Sequence, residues 1–347
     1  MSLRILLLMD PFIRVPPELY GGIERVIADL AAGLHRRGHQ VTLWAAPGSR
    51  IPGTVEPFGR ESEWTPWSNI RNTATLTARF WVRPGRFDLI HNFGRLAYLV
   101  GILRWNLPKV QTYMRPVNPR NMRFVRRLGA RHVRYTAVSA AIRDTGLPGG
   151  GEWSVIPNCA SPDLYRASTD VDPHAAPLLF LGRLERCKGA HTAIAVARRL
   201  NRALRVAGNI STLSHEREYF HREIEPHIDG KLISYVGPVD NDQKTELLRS
   251  AAALLLPVEW EEPFPVVLPE SLLCGTPVIA FRRGGVPEGI EHGKTGFLCD
   301  TTDEMALMVG RLGEIDRSTC RVEAERRFSD HAVVDAYEQL YFEAVNQ

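Results

Sequence analysis

Residues 3–45 read LRILLLMDPFIRVPPELYGGIERVIADLAAGLHRRGHQVTLWA. The stretch opens on an apolar run, Leu3–Met9, of the length of a buried strand. A loop of turn residues follows: Asp10, Pro11, Pro16, Pro17, Gly21 and Gly22. From Glu24 to His35 the apolar residues Val26, Ile27, Leu30, Ala31 and Leu34 recur at helical spacing, and Gly38 ends the helix. Gln40–Ala45 is again strand-like. Strand, loop, helix and strand in this order begin a parallel, doubly wound α/β sheet.

The pattern continues outward. Short apolar runs at Phe87–His91, Lys109–Tyr113, Tyr135–Val138 and Trp153–Pro157 are expected to add strands. Residues 161–177 lack periodicity and carry three prolines, which marks a linker, taken as 166–177. The pattern then restarts at Leu178–Gly182. Strands follow at 204–207, 233–236, 253–257 and 276–280, with helices at 191–201 and 242–251. The final segment, 329–344, places Val333, Tyr337, Leu340 and Tyr341 at helical spacing. The expectation is two Rossmann-like domains, 1–165 and 178–325, facing a central cleft where a ligand meets the carboxyl ends of both sheets.

Length and composition agree. A chain of 347 residues suits two domains, and 44% hydrophobic with 24% charged residues is a globular balance. No apolar run reaches the roughly 18 residues of a membrane span, and Ile5–Met9 is not followed by a small-residue cleavage site. A cytoplasmic protein is expected. Five scattered cysteines without a CxxC pair argue against a disulfide framework or a structural zinc site. The cations are 38 Arg and only 5 Lys. The net charge of +4 hides a split: residues 1–170 hold 23 basic and 12 acidic residues, and the remainder is net acidic. Such asymmetry concerns partners.

Three motifs carry chemistry. Tyr20-Gly21-Gly22 precedes a helix start, where backbone approaches a ligand and N–H groups meet an anion. It is not the GxGxxG of a dinucleotide enzyme. Gly182-Arg183-Leu184-Glu185-Arg186-Cys187-Lys188-Gly189 follows a strand, and its Arg183 and Lys188 suit a diphosphate. Glu262-Pro263-Phe264-Pro265-Val266-Val267-Leu268-Pro269-Glu270 enters a helix with two carboxylates, which accept hydrogen bonds from hydroxyl pairs or simply complement the helix dipole.

Taken together, and nearly end to end, the sequence resembles glycosyltransferase family 4, the retaining transferases of GT-B fold. The resemblance is carried by YGGIERVIADLAAGLHRRGHQVTLWA, AVSAAIRD, VIPNCASPDLY, GRLERCKG, YVGPV and EEPFPVVLPESLLCGTPVIAFRRGGVPEGIEHGKTGFL. It implies that a C-terminal helix (326–347) crosses back to the N-terminal domain. It implies transfer of a hexose from a nucleotide-diphosphate sugar, UDP by base rate with GDP the alternative, to a hydroxyl of a glycan, lipid-linked or small-molecule acceptor in glycoconjugate synthesis. Arg183 and Lys188 would hold the diphosphate, Glu270 the ribose hydroxyls, and Glu262 the transferred sugar. The backbone of Phe264, Pro265, Val266 and Val267 would touch sugar or phosphate. Gly21 and Gly22 would close on the donor, and Val239 would lie near the base. Glu262, Arg183 and Lys188 form the catalytic set, with no metal or other cofactor, because cations and a helix dipole stabilise the departing diphosphate.

The chain departs from the family pattern at three places. Pro265 and Cys159 stand where glycine is common, and Met114 where a histidine is common beside the reacting sugar. A thioether donates no proton, so Arg115 is the neighbouring candidate, with His91 a further acceptor-side residue at a strand end. Asp170-Val171-Asp172 is a DxD string, but in the linker. Trp64 and Trp67 are candidates for sugar stacking or plain packing. No acidic residue lies between Asp88 and Asp144, a stretch with eleven basic ones, including Arg123, Arg126, Arg127, Arg131 and Arg134. That run suits an anionic membrane surface or a phosphate-bearing acceptor. Nucleic acid is disfavoured, because no aromatic platform is interleaved. A sugar-nucleotide epimerase and a non-catalytic nucleotide-sugar-binding protein are the rival readings.

Overall fold

A computed structural model describes residues 1–17, 21–59 and 65–346. Tyr20 and Trp64 lie outside the described residues. The chain divides into two compact units, one of residues 1–157 with 330–347 and one of residues 158–329.

The first unit runs β1 (Arg4–Leu8), α1 (Gly22–Arg36), β2 (Gln40–Trp44), β3 (Thr54–Val55), α2 (Pro66–Val82), β4 (Leu89–Asn92), β5 (Lys109–Tyr113), α3 (Pro119–Arg127), β6 (Val133–Ala137), α4 (Ala140–Gly146) and β7 (Glu152–Val155). Its sheet is parallel throughout, in the order β3-β2-β1-β4-β5-β6-β7. The second unit runs β8 (Leu178–Leu181), α5 (Ala190–Arg199), β9 (Leu204–Ala207), α6 (Ser214–Tyr219), β10 (Ile233–Gly237), α7 (Asn241–Ser250), β11 (Ala253–Leu256), α8 (Val267–Leu273), β12 (Val278–Phe281), α9 (Val286–Gly289), β13 (Gly296–Cys299), α10 (Thr302–Gly310) and α11 (Arg317–Phe328). Its parallel sheet has the order β10-β9-β8-β11-β12-β13. Last comes α12 (Asp330–Val345), which belongs to the first unit.

All-parallel sheets must be covered on both faces, and the strands β4, β8, β11 and β12 are buried at every position. In the first unit, Leu6 and Leu8 of β1 and Ile90 of β4 pack beneath α2, a 3₁₀ turn at Leu96–Ile102, and α3. The other face is covered by α1 and α12. Arg37, just past the end of α1, pairs with Glu338 at 2.7 Å, Arg36 pairs with Asp330 at 3.1 Å, and Nε2 of His39 meets Glu338 at 2.8 Å. The two helices approach so closely that a Cβ on Gly33 would lie 2.4 Å from Cγ2 of Val334.

The expected linker 166–177 is instead part of the second unit. Ser168 N–H donates to Cys274 O (3.1 Å) and Ser168 O accepts from Arg317 Nε (2.7 Å). The carbonyls of Pro173 and Ala176 accept from Arg202. Asp172, from the DxD string, caps a local turn, its Oδ1 accepting from the N–H groups of His174 and Ala175. These partners lie far along the chain, so an aperiodic stretch is pinned by arginines that no local pattern reveals. The boundary therefore falls at 157/158, and with α12 included the first unit holds 22 basic and 14 acidic residues, net +8.

The α1–α12 contact sets a prediction. Gly33→Ala drives a methyl into Val334 and destabilises the protein by roughly 1–3 kcal/mol. Val334→Ala in the same chain restores part of that loss, a coupling that urea denaturation of the two single variants and the double variant measures.

Candidate functional site

In the second unit the loop Arg183–Gly189 leaves β8 and turns through Gly189 into α5. Gly189 has φ +77°, and a Cβ there would lie 2.0 Å from Pro257 O, so the turn is pressed against the end of β11 and admits no side chain. Glu259 N–H donates to Cys187 O (2.8 Å), joining this loop to the segment that follows β11. That segment is held from its other side by Gly285 N–H, which donates to Glu262 O at 2.7 Å. Phe264 O accepts from Asn158 Nδ2 (2.8 Å), and the Phe264 ring packs on Phe328.

These clamps bring together residues separated by up to 105 positions. Lys188 Nζ lies 2.6 Å from Glu262 Oε2, and the Trp260 indole N–H donates to the same oxygen at 2.6 Å. The Lys188 ammonium also sits 5.0 Å from the centre of the Trp260 ring. A second arrangement repeats the first. Lys244 Nζ lies 2.5 Å from Glu270 Oε1, Tyr165 OH donates to that oxygen at 2.6 Å, and the ammonium stands 5.1 Å from the Tyr165 ring centre. Glu262 and Glu270 are 6% and 3% exposed. Each is a carboxylate that burial would penalise severely without its cation. Among the described residues each commits one oxygen to a lysine and an aromatic donor, and the other oxygen has no partner.

Arg183 is exposed and reaches Glu185 Oε1 at 2.7 Å. Phe264 and Pro265 are buried, and Val266 and Val267 are half-buried at the start of α8. Pro265 has no N–H, so the free donors there begin at Val266. Neither α8 nor α5 nor α1 has a side-chain cap, whereas Asp240 caps α7 and Asp316 caps α11. At the start of α8 this leaves the Val266 and Val267 N–H groups open to an anion, whereas at the start of α5 the His191 N–H donates to Tyr219 OH at 3.3 Å and in α1 the Glu24 N–H meets its own carboxylate. Val239 stands half-buried between β10 and α7, next to the Asp240 cap. Lys244, Tyr165 and Trp260 were not read from the sequence. The scarcity of lysine was the one signal that pointed towards Lys244.

In the first unit, Gly21 and Gly22 open α1. Burial raises the Glu24 carboxyl pKa, which its own backbone N–H and the Arg115 and Arg25 cations oppose. Arg115 thus stands near the α1 start, exposed, after half-buried Met114. His91 does not join them. It is fully buried under α12, with Nδ1 2.5 Å from Tyr341 OH and Nε2 2.6 Å from Thr112 Oγ1. Its side chain alternates away from Ile90 in the strand, towards α12. It is a structural histidine, not an acceptor-side group. Among the described residues no cluster of three or more His, Cys, Asp or Glu is arranged to hold a metal.

Comparison with known proteins identifies the family and the fold. Residues 163–312 match the family described as "Glycosyl transferases group 1", and residues 20–164 match "Glycosyltransferase Family 4". The chain belongs to glycosyltransferase family 4. A glycogen synthase of Mycobacterium tuberculosis is 31% identical over 182 residues, 49% of this chain and 43% of that one, so the match spans less than half of that relative. Among solved structures, AviGT4, a glycosyltransferase involved in avilamycin A biosynthesis, is 27% identical with a TM-score of 0.72, covering 99% of this chain and 98% of its own. Anabaena HepE in complex with UDP-glucose is 19% identical with a TM-score of 0.76, covering 99% and 100%. The fold is GT-B, of two Rossmann-like units.

Burial alone pushes His91 well below its ordinary pKa of 6.5, because charging it under α12 is costly. A ring held neutral in the fold and free to protonate when unfolded stabilises the protein above pH 6.5 and loses that contribution below it. Between pH 6.5 and 5, wild-type stability falls by about 1.4 kcal/mol per pH unit more steeply than that of His91→Gln. Urea titrations at stepped pH measure the difference, and parallel slopes contradict it.

Proposed function

We propose that this chain is a retaining glycosyltransferase that moves a hexose from a nucleotide-diphosphate sugar, with UDP as the nucleotide, to a hydroxyl of a glycan, lipid-linked or small-molecule acceptor. The observation that carries the reading is the pair of glutamate–lysine–aromatic arrangements in the second unit. UDP is favoured because a whole-length structural neighbour was solved with UDP-glucose.

The donor diphosphate brings negative charge to Arg183 and Lys188. Lys188 then shares its ammonium between Glu262 and a phosphate oxygen, and Glu262 turns its open oxygen to hydroxyls of the sugar. Glu270, fixed by Tyr165 and Lys244, offers its open oxygen to the ribose hydroxyls. Open N–H groups at Val266 and Val267 add donors to the anion. As the bond from anomeric carbon to phosphate oxygen breaks, its electrons pass to the diphosphate, where Arg183 and Lys188 stabilise the growing charge. The acceptor hydroxyl attacks from the same face and gives its proton to the departing phosphate oxygen. No metal enters these steps. The first unit, net +8 and carrying Gly21, Gly22, Met114 and Arg115, is the side assigned to the acceptor.

Thermal melting against UDP-, GDP- and ADP-glucose tests the donor. At a ligand concentration of about 100 Kd the native state gains about 2.7 kcal/mol, and the UDP sugar is expected to give the largest rise. Lys188→Ala and Glu270→Ala should each lower transfer by roughly 10²- to 10³-fold, by the measure of a lost charge-stabilising donor. Near-normal turnover in both variants overturns the assignment.

A further inference from the structure

The sequence offered no reading of α2, and its packing is unusual. Thr65 and Ser68 cap its start reciprocally. Ser68, Asn72, Leu76 and Phe80 face inward at fourfold spacing. Trp67, Ile70, Ala74, Ala78, Trp81 and Val82 form a second line at spacings of three and four, and all are exposed. Trp67 is 80% exposed, Ile70 58% and Trp81 63%. This line runs about 20 Å along the helix at 1.5 Å per residue, with a tryptophan near either end. Val100, on the 3₁₀ turn that packs on α2, is also exposed.

The setting is strongly cationic. Residues 66–143 hold fifteen basic residues and one acidic residue, Asp88, which Arg4 occupies at 2.6 Å; of the fifteen, Arg86, Arg95, Arg134 and Arg143 pair with Glu56, Asp10, Glu152 and Asp144, and Lys109 is buried. The same 3₁₀ turn leads on to α3: Arg104 Nε donates to Leu128 O (2.8 Å), and Arg131 N–H donates to Leu103 O (2.9 Å). The outward side of α3 then presents Arg120, Arg123 and Arg127 around Phe124, itself 60% exposed. Among the described residues Arg71, Arg83, Arg120, Arg127 and Arg131 have no carboxylate partner.

We propose that the outer surface of α2, the 3₁₀ turn Leu96–Ile102 and α3 docks on an anionic lipid bilayer, with Trp67, Ile70 and Trp81 entering the headgroup layer and the arginines meeting lipid phosphates. Charge decides the occupant. A second copy of this chain would present the same cations and repel, whereas an anionic bilayer matches both the apolar line and the surrounding arginines. Indoles favour the interfacial layer, since the ring is apolar and its N–H needs a polar partner; this bears on Trp67, because the Trp81 N–H already donates to Gly101 O at 3.2 Å and its ring packs on Trp105, so Trp81 contributes only exposed apolar surface. The surface lies within the first unit and is independent of donor chemistry.

Sedimentation with phosphatidylcholine–phosphatidylglycerol vesicles and with pure phosphatidylcholine vesicles, at low and high salt, tests the proposal. The expected result is binding to the anionic vesicles that weakens with salt, with little binding to the neutral ones. Joint Trp67→Ser and Ile70→Ser should weaken it about tenfold or more. Joint Arg120→Gln, Arg123→Gln and Arg127→Gln should weaken it by about two orders of magnitude, at about fivefold per cation. Thermal melting of both variants serves as the folding control, and either set alone suffices as a test. No binding to anionic vesicles, equal binding to neutral ones, or binding unchanged in both variants overturns it. So does a wild-type dimer in sedimentation equilibrium that the Trp67/Ile70 replacement dissolves, for then a second copy covers the surface.

Discussion

A carboxylate taken out of water must be given a cation and donors, or it takes up a proton. Glu262 and Glu270 meet that demand in the same way, each with a lysine and an aromatic N–H or O–H converging on a single oxygen. In a chain with 38 arginines and 5 lysines, lysine at both places has a physical reason. A guanidinium fork tends to take both oxygens of a carboxylate. An ammonium is a point charge and can hold one, leaving the other for a hydroxyl. Four stretches depend on these contacts for their positions: the loop after β8, the segment after β11, the helix α7, and the turn that ends at Tyr165.

The arginines divide into two kinds. Some in the second unit are structural: Arg317, 8% exposed, donates to the carbonyls of Ser168, Ala251 and Arg249 and to Thr276 Oγ1, and burial without a carboxylate lowers its pKa to about 10. Arg321 likewise gathers the carbonyls of Tyr165, Leu273 and Pro162. Those on α3 project outward and bond mostly to nothing but nearby carbonyls. Composition treats the two kinds alike. Burial and partners separate them.

This explains how far the sequence could be read. Strands β1, β8, β11 and β12 were visible because buried parallel strands are short apolar runs, β2, β4, β5, β6, β7, β9 and β10 because apolar and aromatic residues still cluster there between turn residues, and α1 because its apolar residues keep to one stripe. α2 was missed because it has two lines of opposite meaning: a buried one that includes Ser68 and Asn72, and an exposed one that includes Trp67 and Trp81. Together they erase the periodicity. The linker was misplaced because its partners, Arg202, Cys274 and Arg317, lie far along the chain. Lys188, Glu262 and Glu270 lie in motifs dense enough to be recognised. Tyr165 closes a recognised segment that gave it no role and Lys244 lies in none, and only the fold shows that they meet at one oxygen. The charge split also sharpened: four acidic residues on α12 return to the basic unit and reduce its excess to +8.

That return has a consequence for biosynthesis. The first unit is interrupted by all of residues 158–329, and α12, the helix that covers His91, Thr112 and the Gly33 side of α1, is made after them. While the nascent chain lengthens, the second unit can close around its own continuous sequence. The first keeps one apolar sheet face bare until residues 330–345 emerge. The unit translated first is therefore the one completed last, and its uncovered face is the natural object for a chaperone in the interval.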